Sequence, residues 1–169
     1  MPVMPAFNLQ KWIADNRHLL QPPVGNKCLW DNGGFLVMVL GGPNARTDYH
    51  VNPSEELYYQ IEGDIVVKII DDGKPRDVPI KEGDIFLLPA MVPHSPQRGP
   101  NTIGLVVEYP KLTKDDHHLR WFCKSCGEVV NDFPFQVADI GKQIKGMLTR
   151  FADDEKIRTC KKCGTVHGA

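Results

Sequence analysis

Apolar residues recur along this chain with two periods. Over residues 8–20, Leu9, Trp12, Ile13, Leu19 and Leu20 return at roughly helical spacing, Asn8 stands where a helix N-cap belongs, and Gln21-Pro22-Pro23 ends the pattern. That predicts an N-terminal helix packed on the outside of the domain. After an irregular loop at 22–27 and a turn at Asp31-Asn32-Gly33-Gly34, the period falls to two. Runs at 35–40, 46–51, 56–61, 65–70, 76–80, 85–88 and 103–109 have strand length, and Gly, Pro or Asp separates them. Arg46, Asp48 and His50 share one face of their run; Glu56, Tyr58 and Gln60 share one face of theirs, with Leu57, Tyr59 and Ile61 on the other. Asp72-Gly73 is a tight-hairpin signal. Short strands with such turns, several of them apolar on both faces, predict a mainly β chain folded as a jelly-roll barrel.

Past residue 110 the pattern changes. Residues 111–118 are charged and loop-like. Over 138–152, Ile140, Ile144, Met147, Leu148 and Phe151 again recur at helical spacing. This divides the chain into a barrel at 1–115 and a small tail at 116–169. Two Cys-x-x-Cys pairs, Cys123 with Cys126 and Cys160 with Cys163, bracket the tail helix, each followed by glycine. Four thiolates in two such knuckles fit a closed tetrahedral site for Zn or Fe, whose simplest role is to fold a tail too small for its own core.

Charge narrows the partners. Twenty basic residues against twenty-one acidic leave a net charge of −1, with no run of one sign, which argues against nucleic acid or an anionic membrane. The N-terminus has no basic, apolar export signal, and no apolar run approaches a membrane span, so a cytoplasmic protein is expected. In a reducing compartment, cysteine pairs favour metal over disulfides.

The strand ends carry the remaining chemistry. His50 and Glu56 are six residues apart, and His94 follows an apolar run and Pro93. Two imidazoles and one carboxylate with open positions are the ligand set of non-haem Fe(II) oxygenases. Alone, the same three residues are also compatible with unrelated polar positions.

The surrounding motifs add a resemblance. Glu56 through Gly63, and Gly83, Pro89 and His94, resemble the two cupin motifs, with Asn52 where many cupins have a second histidine and Met91 in place of a usual glycine. Gly-Gly-Pro-Asn-Ala-Arg-Thr-Asp-Tyr-His at 41–50, Phe-Leu-Leu-Pro at 86–89, Pro-His-Ser-Pro-Gln-Arg at 93–98, Val-Val-Glu at 106–108 and both cysteine pairs resemble the 3-hydroxyanthranilate 3,4-dioxygenase family. The resemblance implies a cupin barrel with Fe(II) on His50, Glu56 and His94, and a rubredoxin-like site in the tail. It implies O2-dependent cleavage of the substrate ring to 2-amino-3-carboxymuconate semialdehyde, the precursor of quinolinate in tryptophan degradation and NAD synthesis. It assigns Arg98 to the substrate carboxylate, Glu108 to substrate and to holding Arg98, Arg46 to the neighbourhood of O2, and Tyr58 to the pocket wall. A homodimer is expected by the same resemblance, and loop 22–27 is a candidate for closing over substrate.

Competing readings are another cupin enzyme such as an isomerase or thiol dioxygenase, an iron-carrying protein built on the cysteine site, and a cupin sensor of a small carboxylate. Cys28 is expected to be a buried or partly buried thiol without function. His18, His117, His118 and His167 are expected to be solvated.

Overall fold

The computed structural model describes residues 5–22, 25–30, 34–44, 46–109, 116–138 and 140–168. Asn8 caps α1 (Leu9–Asn16) by accepting the Lys11 backbone N–H at 2.8 Å, and a 3-10 turn at Arg17–Leu20 continues it. Eleven strands follow among the described residues: β1 (Asn26–Trp30), β2 (Leu36–Gly41), β3 (Tyr49–Val51), β4 (Glu56–Glu62), β5 (Ile65–Asp71), β6 (Lys74–Ile80), β7 (Ile85–Leu88), β8 (His94–Arg98), β9 (Ile103–Glu108), β10 (His117–Phe122) and β11 (Val129–Phe135). Helix α2 (Ile140–Asp153) and a short α3 (Glu155–Arg158) end the chain.

The strands form two antiparallel sheets, ordered β1-β2-β9-β4-β7 and β11-β10-β3-β8-β5-β6. This is the jelly-roll barrel expected. Between the sheets lie Leu36, Met38, Tyr58, Ile65, Val67, Ile69, Ile80, Leu88 and Val106. Burying each such apolar side chain contributes roughly 1.5–3 kcal/mol, which fixes the face each strand turns inward. Ile13 and Leu20 close the outer face of the first sheet against Val39 and Ile103, placing the N-terminal helix outside the barrel as predicted.

Local rules explain the turns. Asp72 and Gly73 both have positive φ, the requirement of a two-residue hairpin between β5 and β6, and Asp71 pairs with Lys74 across it. Met91, at the position of the usual glycine, adopts φ 65° and donates its N–H to Asn52 O at 2.8 Å. The expected local adjustment is therefore a left-handed residue held by a cross-loop hydrogen bond.

Several expectations change. Asn26 and Lys27 belong to β1 rather than to a loop, while 23–24, positions 31–33 of the expected turn and 110–115 lie outside the described residues. Arg46 precedes β3 and is not part of a strand. The stretch containing His117 and His118 is β10, which pairs with β3, His50 opposite Leu119, so the first strand after residue 115 extends the barrel's second sheet. β8 and β11 were invisible to periodicity because both are largely polar or proline-interrupted. In the tail, Trp121 stacks on Phe151 at 4.0 Å, and Ile144 and Met147 pack with them; Leu148 is exposed. Cys28 is exposed.

Candidate active site

The barrel brings its polar inward residues together at one end. His50 on β3 and His94 on β8 are direct cross-strand partners in the second sheet. Glu56 on β4 and Glu108 on β9 are partners in the first, facing them. The period of two does the rest: Glu56 and Tyr58 point inward from β4, His94, Pro96 and Arg98 from β8, and Val106 and Glu108 from β9.

His50, Glu56 and His94 are buried and converge on one point. Glu56 Oε1 lies 3.2 Å from His94 Nε2 and 3.5 Å from His50 Nδ1. Ligands about 2.1 Å from a metal at right angles stand about 3 Å apart, so both distances suit donors that share one ion. His94 Nδ1 is 3.0 Å from Val92 O; a carbonyl only accepts, so Nδ1 carries a proton and Nε2 is the nitrogen turned to the shared point. Burial lowers the His50 pKa by more than the hydrogen bond and charge of Glu56 raise it. Burial opposes the charge of Glu56, but His94 and His50 outweigh it and hold the carboxylate well below its usual range. Two imidazole nitrogens and one carboxylate oxygen, each giving up its proton to the metal, are a donor set that a divalent ion takes.

Asn52, where the cupin pattern has a second histidine, is a bridge. Its Nδ2 donates to Glu56 Oε1 at 2.9 Å and to Glu108 Oε2, while its Oδ1 accepts from Ser54 N at 2.9 Å and Ser54 Oγ at 3.0 Å. Two carboxyls directly opposite on neighbouring strands repel when both are charged. Burial and the charge of Glu56 push Glu108 up to about 9, so it is protonated at neutral pH. Tyr58 donates its hydroxyl to Glu56 Oε2 at 2.9 Å; burial, then Glu56, raises its pKa well above the usual value.

Arg98 and Glu108 were expected to pair. The structure gives them other partners: Arg98 Nη1 donates to Gln60 Oε1 at 3.3 Å, and Glu108 is held by Asn52. Arg98 Nε and Glu108 Oε1 are buried without a hydrogen bond. Burial lowers Arg98 to about 10, still charged at neutral pH. Arg46 is held by Asp48, at 3.2 Å to Nε and through Nη2. Burial disfavours its charge, Asp48 favours it, and the net pKa is raised.

One cavity is lined by all seven barrel residues named from sequence: Arg46, His50, Glu56, Tyr58, His94, Arg98 and Glu108. Its apolar wall includes Met38, Leu40 and Val106. Asn26, within the stretch 22–27 expected to close over substrate, and Gly141 and Ile144 from α2 complete it; none of the three was named individually as a site residue. Sequence reasoning also missed Asn52 as a positioning residue, though its departure from the cupin motif was the signal. His117 was assigned to solvent; it is 1% exposed, and its Nδ1 lies 3.1 Å from His50 Nε2. His118 is paired with Asp132 at 2.9 Å, and His167 is buried.

A second donor cluster lies in the tail. The Sγ atoms of Cys123, Cys126, Cys160 and Cys163 are all within 4.8 Å of one another, with Cys123–Cys163 at 3.6 Å and Cys126–Cys160 at 3.7 Å. A tetrahedral metal with bonds of about 2.3 Å separates its sulfurs by about 3.8 Å, so the cluster fits one ion. The two knuckles match: Gly127 and Gly164 both have φ 73°, and each donates its N–H to the carbonyl of the first cysteine. Hydrogen bonds from Thr165 lower Cys163 to about 6, favouring the thiolate.

Residues 1–152 match the model of a family described as 3-hydroxyanthranilic acid dioxygenase. Relatives named 3-hydroxyanthranilate 3,4-dioxygenase include one from Meyerozyma guilliermondii, 52% identical over 95% of this chain and 94% of its own length. One from Scheffersomyces stipitis is 50% identical over the same shares. One from Xanthomonas euvesicatoria pv. vesicatoria is 45% identical over 99% of this chain and 94% of its own.

Proposed function

The chain belongs to the 3-hydroxyanthranilic acid dioxygenase family, and from that premise we propose that it cleaves the ring of 3-hydroxyanthranilate with O2 to give 2-amino-3-carboxymuconate semialdehyde, the precursor of quinolinate. The observation that carries the reading is the meeting, in one cavity, of the His50, Glu56, His94 donor set with a buried arginine and a buried carboxyl that both keep polar atoms unpartnered. A metal site alone would not need that pair. A planar ring bearing a carboxylate and adjacent hydroxyl and amino groups uses both.

His50, Glu56 and His94 hold Fe(II) in this reading. Bound there, the iron supplies a template and an electron path between ring and O2. Arg98 offers its guanidinium to the substrate carboxylate, charge to charge in a buried site. Glu108 faces the ring's polar substituents, where its carboxyl can donate to or accept from them. Asn52 and Tyr58 fix the two oxygens of Glu56. Arg46, kept charged by Asp48, places a cation where negative charge develops on oxygen. Met38, Leu40 and Val106 offer apolar contact to the ring, and Ile144 of α2 adds to the cavity wall.

The tail site takes Fe or Zn in this reading and serves folding. Cys126→Ser is expected to lower the thermal unfolding midpoint by about 10 °C or more, since several kcal/mol of metal-linked stability are lost, while part of the ring-cleaving activity remains. Calorimetry with parallel turnover measurements checks this; full loss of activity in a still-folded variant would overturn the division of roles. The thiol cluster supports a reducing compartment, the cytoplasm. Tyr59, Ile85 and Leu87, exposed on the outer face of the first sheet at its β7 edge, support a homodimer. No helix among the described residues is long and apolar enough to cross a membrane.

The direct test is anaerobic loading with Fe(II), then addition of 3-hydroxyanthranilate and air while following ultraviolet absorbance and dissolved oxygen. The expected result is a semialdehyde band with one O2 consumed per substrate. No reaction by folded, iron-loaded protein would sink the reading.

A further inference from the structure

Arg98 is held at both ends, and among the described residues no acid holds it. Its backbone N–H donates to Asn44 Oδ1 at 2.8 Å and its carbonyl accepts from Asn44 N at 3.0 Å, which fixes where the side chain leaves β8. At the other end Nη1 donates to Gln60 Oε1 at 3.3 Å. Gln60 lies on β4, on the face shared with Glu56 and Tyr58, and is 1% exposed.

The Gln60 amide has one orientation. Its Nε2 donates to Glu62 O at 2.9 Å and to Gly63 O at 2.8 Å, where β4 ends and turns. Carbonyls only accept, so both amide hydrogens are used there and the oxygen faces Arg98. The turn after β4 thus aims a neutral acceptor at the guanidinium.

The neighbouring strand leaves room for this contact. Gly104 on β9 is the cross-strand partner of Gln60, and β9 lies in the middle of the first sheet. A Cβ at Gly104 would stand 2.8 Å from Arg98 Nη1, 2.8 Å from Gln60 Oε1 and 3.3 Å from Arg98 Nη2. Glycine weakens a strand interior, and its presence there marks a close approach. What approaches Gly104 is the guanidinium together with the amide that holds it.

We propose that Gln60 and Gly104 form the seat of Arg98: they hold the guanidinium by Nη1 and leave the side bearing Nε, which has no protein hydrogen bond, to the substrate carboxylate. Gln60 is a positioning residue, acting through Arg98. A carboxylate in its place would pair with the guanidinium and compete with the substrate; an amide fixes the group and leaves its charge to the ligand. The proposal rests on the reading of Arg98 as the carboxylate anchor.

The test is anaerobic equilibrium dialysis of the iron-loaded full chain with 3-hydroxyanthranilate and with 2-aminophenol, the same ring without the carboxylate. Without O2 the readout is binding, not turnover. Gln60→Leu keeps most of the bulk and removes the acceptor. Gly104→Ala keeps the Gln60 bonds to the turn but drives its methyl against Nη1. Each is expected to raise the Kd for 3-hydroxyanthranilate about tenfold and to leave that for 2-aminophenol within about twofold. Combined with Arg98→Ala, neither should add a further loss, because the seat then holds nothing. If Gln60→Leu does not fold, Gly104→Ala carries the same expectation alone. Parent-like affinity for 3-hydroxyanthranilate in either folded variant, or equal losses for the two ligands, overturns the proposal. Arg98→Ala is the control: if it binds 3-hydroxyanthranilate as the parent does, the anchor reading itself has failed, a result separate from any outcome at Gln60 or Gly104.

Discussion

Replacing His94 by alanine is expected to empty the catalytic site of iron and reduce ring cleavage to background, while the tail keeps its metal. His94 is buried, and its Nδ1 is tied to Val92 O, so its Nε2 is the donor that faces Glu56 at 3.2 Å. Without it, two donors remain from opposite sheets, and neither closes the face that three require. Changes behind a ligand typically cost about 10- to 100-fold, so removal of a direct ligand should exceed roughly a thousandfold in turnover. Iron analysis of the purified variant with oxygen-uptake assays measures both quantities. Retained iron with parent-like turnover would remove His94, and with it the triad, from the mechanism.

The second large effect is expected at Arg98. Its guanidinium is buried on β8, donates to Gln60 Oε1 at 3.3 Å, and has an Nε with no hydrogen bond. Among the described residues no carboxylate forms an ion pair with it. A buried cation without an anion is costly, and its pKa is lowered by burial to about 10. A substrate carboxylate relieves that cost. Each hydrogen bond to a charged group contributes about 1.5–3 kcal/mol, so Arg98→Ala should raise the substrate KM roughly 100-fold or more. Arg98→Lys, with the charge but not the fork, should recover part of that loss. Steady-state kinetics on both variants decides the matter; an unchanged KM in Arg98→Ala would exclude Arg98 as the carboxylate anchor. Iron content should stay near one catalytic ion per chain, since Arg98 is not a ligand.

These two sites were legible in different degrees. His94 stood out because a strand, a proline and a histidine at cupin spacing form a local signature. Arg98 could be named from the family pattern, but its partner could not: Glu108 was expected to hold it and is instead bound to Asn52. The two strands carrying Arg98 and Glu108 lie in different sheets, so whether their side chains touch depends on how the sheets pack, which no local pattern encodes. His117 failed for a related reason. Two adjacent histidines after a charged run look solvated, and only the pairing of β10 with β3 turns one inward against His50 and leaves the other at Asp132. Cys28 erred the other way: cysteine is usually buried, but its strand lies at a sheet edge.

What the sequence determined by itself are features set within a few residues. Asn8 caps a helix, Asp72-Gly73 turns a hairpin, each Cys-x-x-Cys-Gly forms a knuckle, and the period of two puts Glu56 and Tyr58 on one face. Each follows from backbone dihedrals and side-chain reach, which neighbours in the chain control. Tertiary structure alone decided which of these faces meet. It set Glu56 opposite Glu108 with Asn52 between them, paired Arg98 with Gln60, brought α2 to the cavity wall and set His117 beside His50. Those contacts join residues tens of positions apart, and their geometry is fixed only when the two sheets bury a common core and strand register is chosen by the whole barrel.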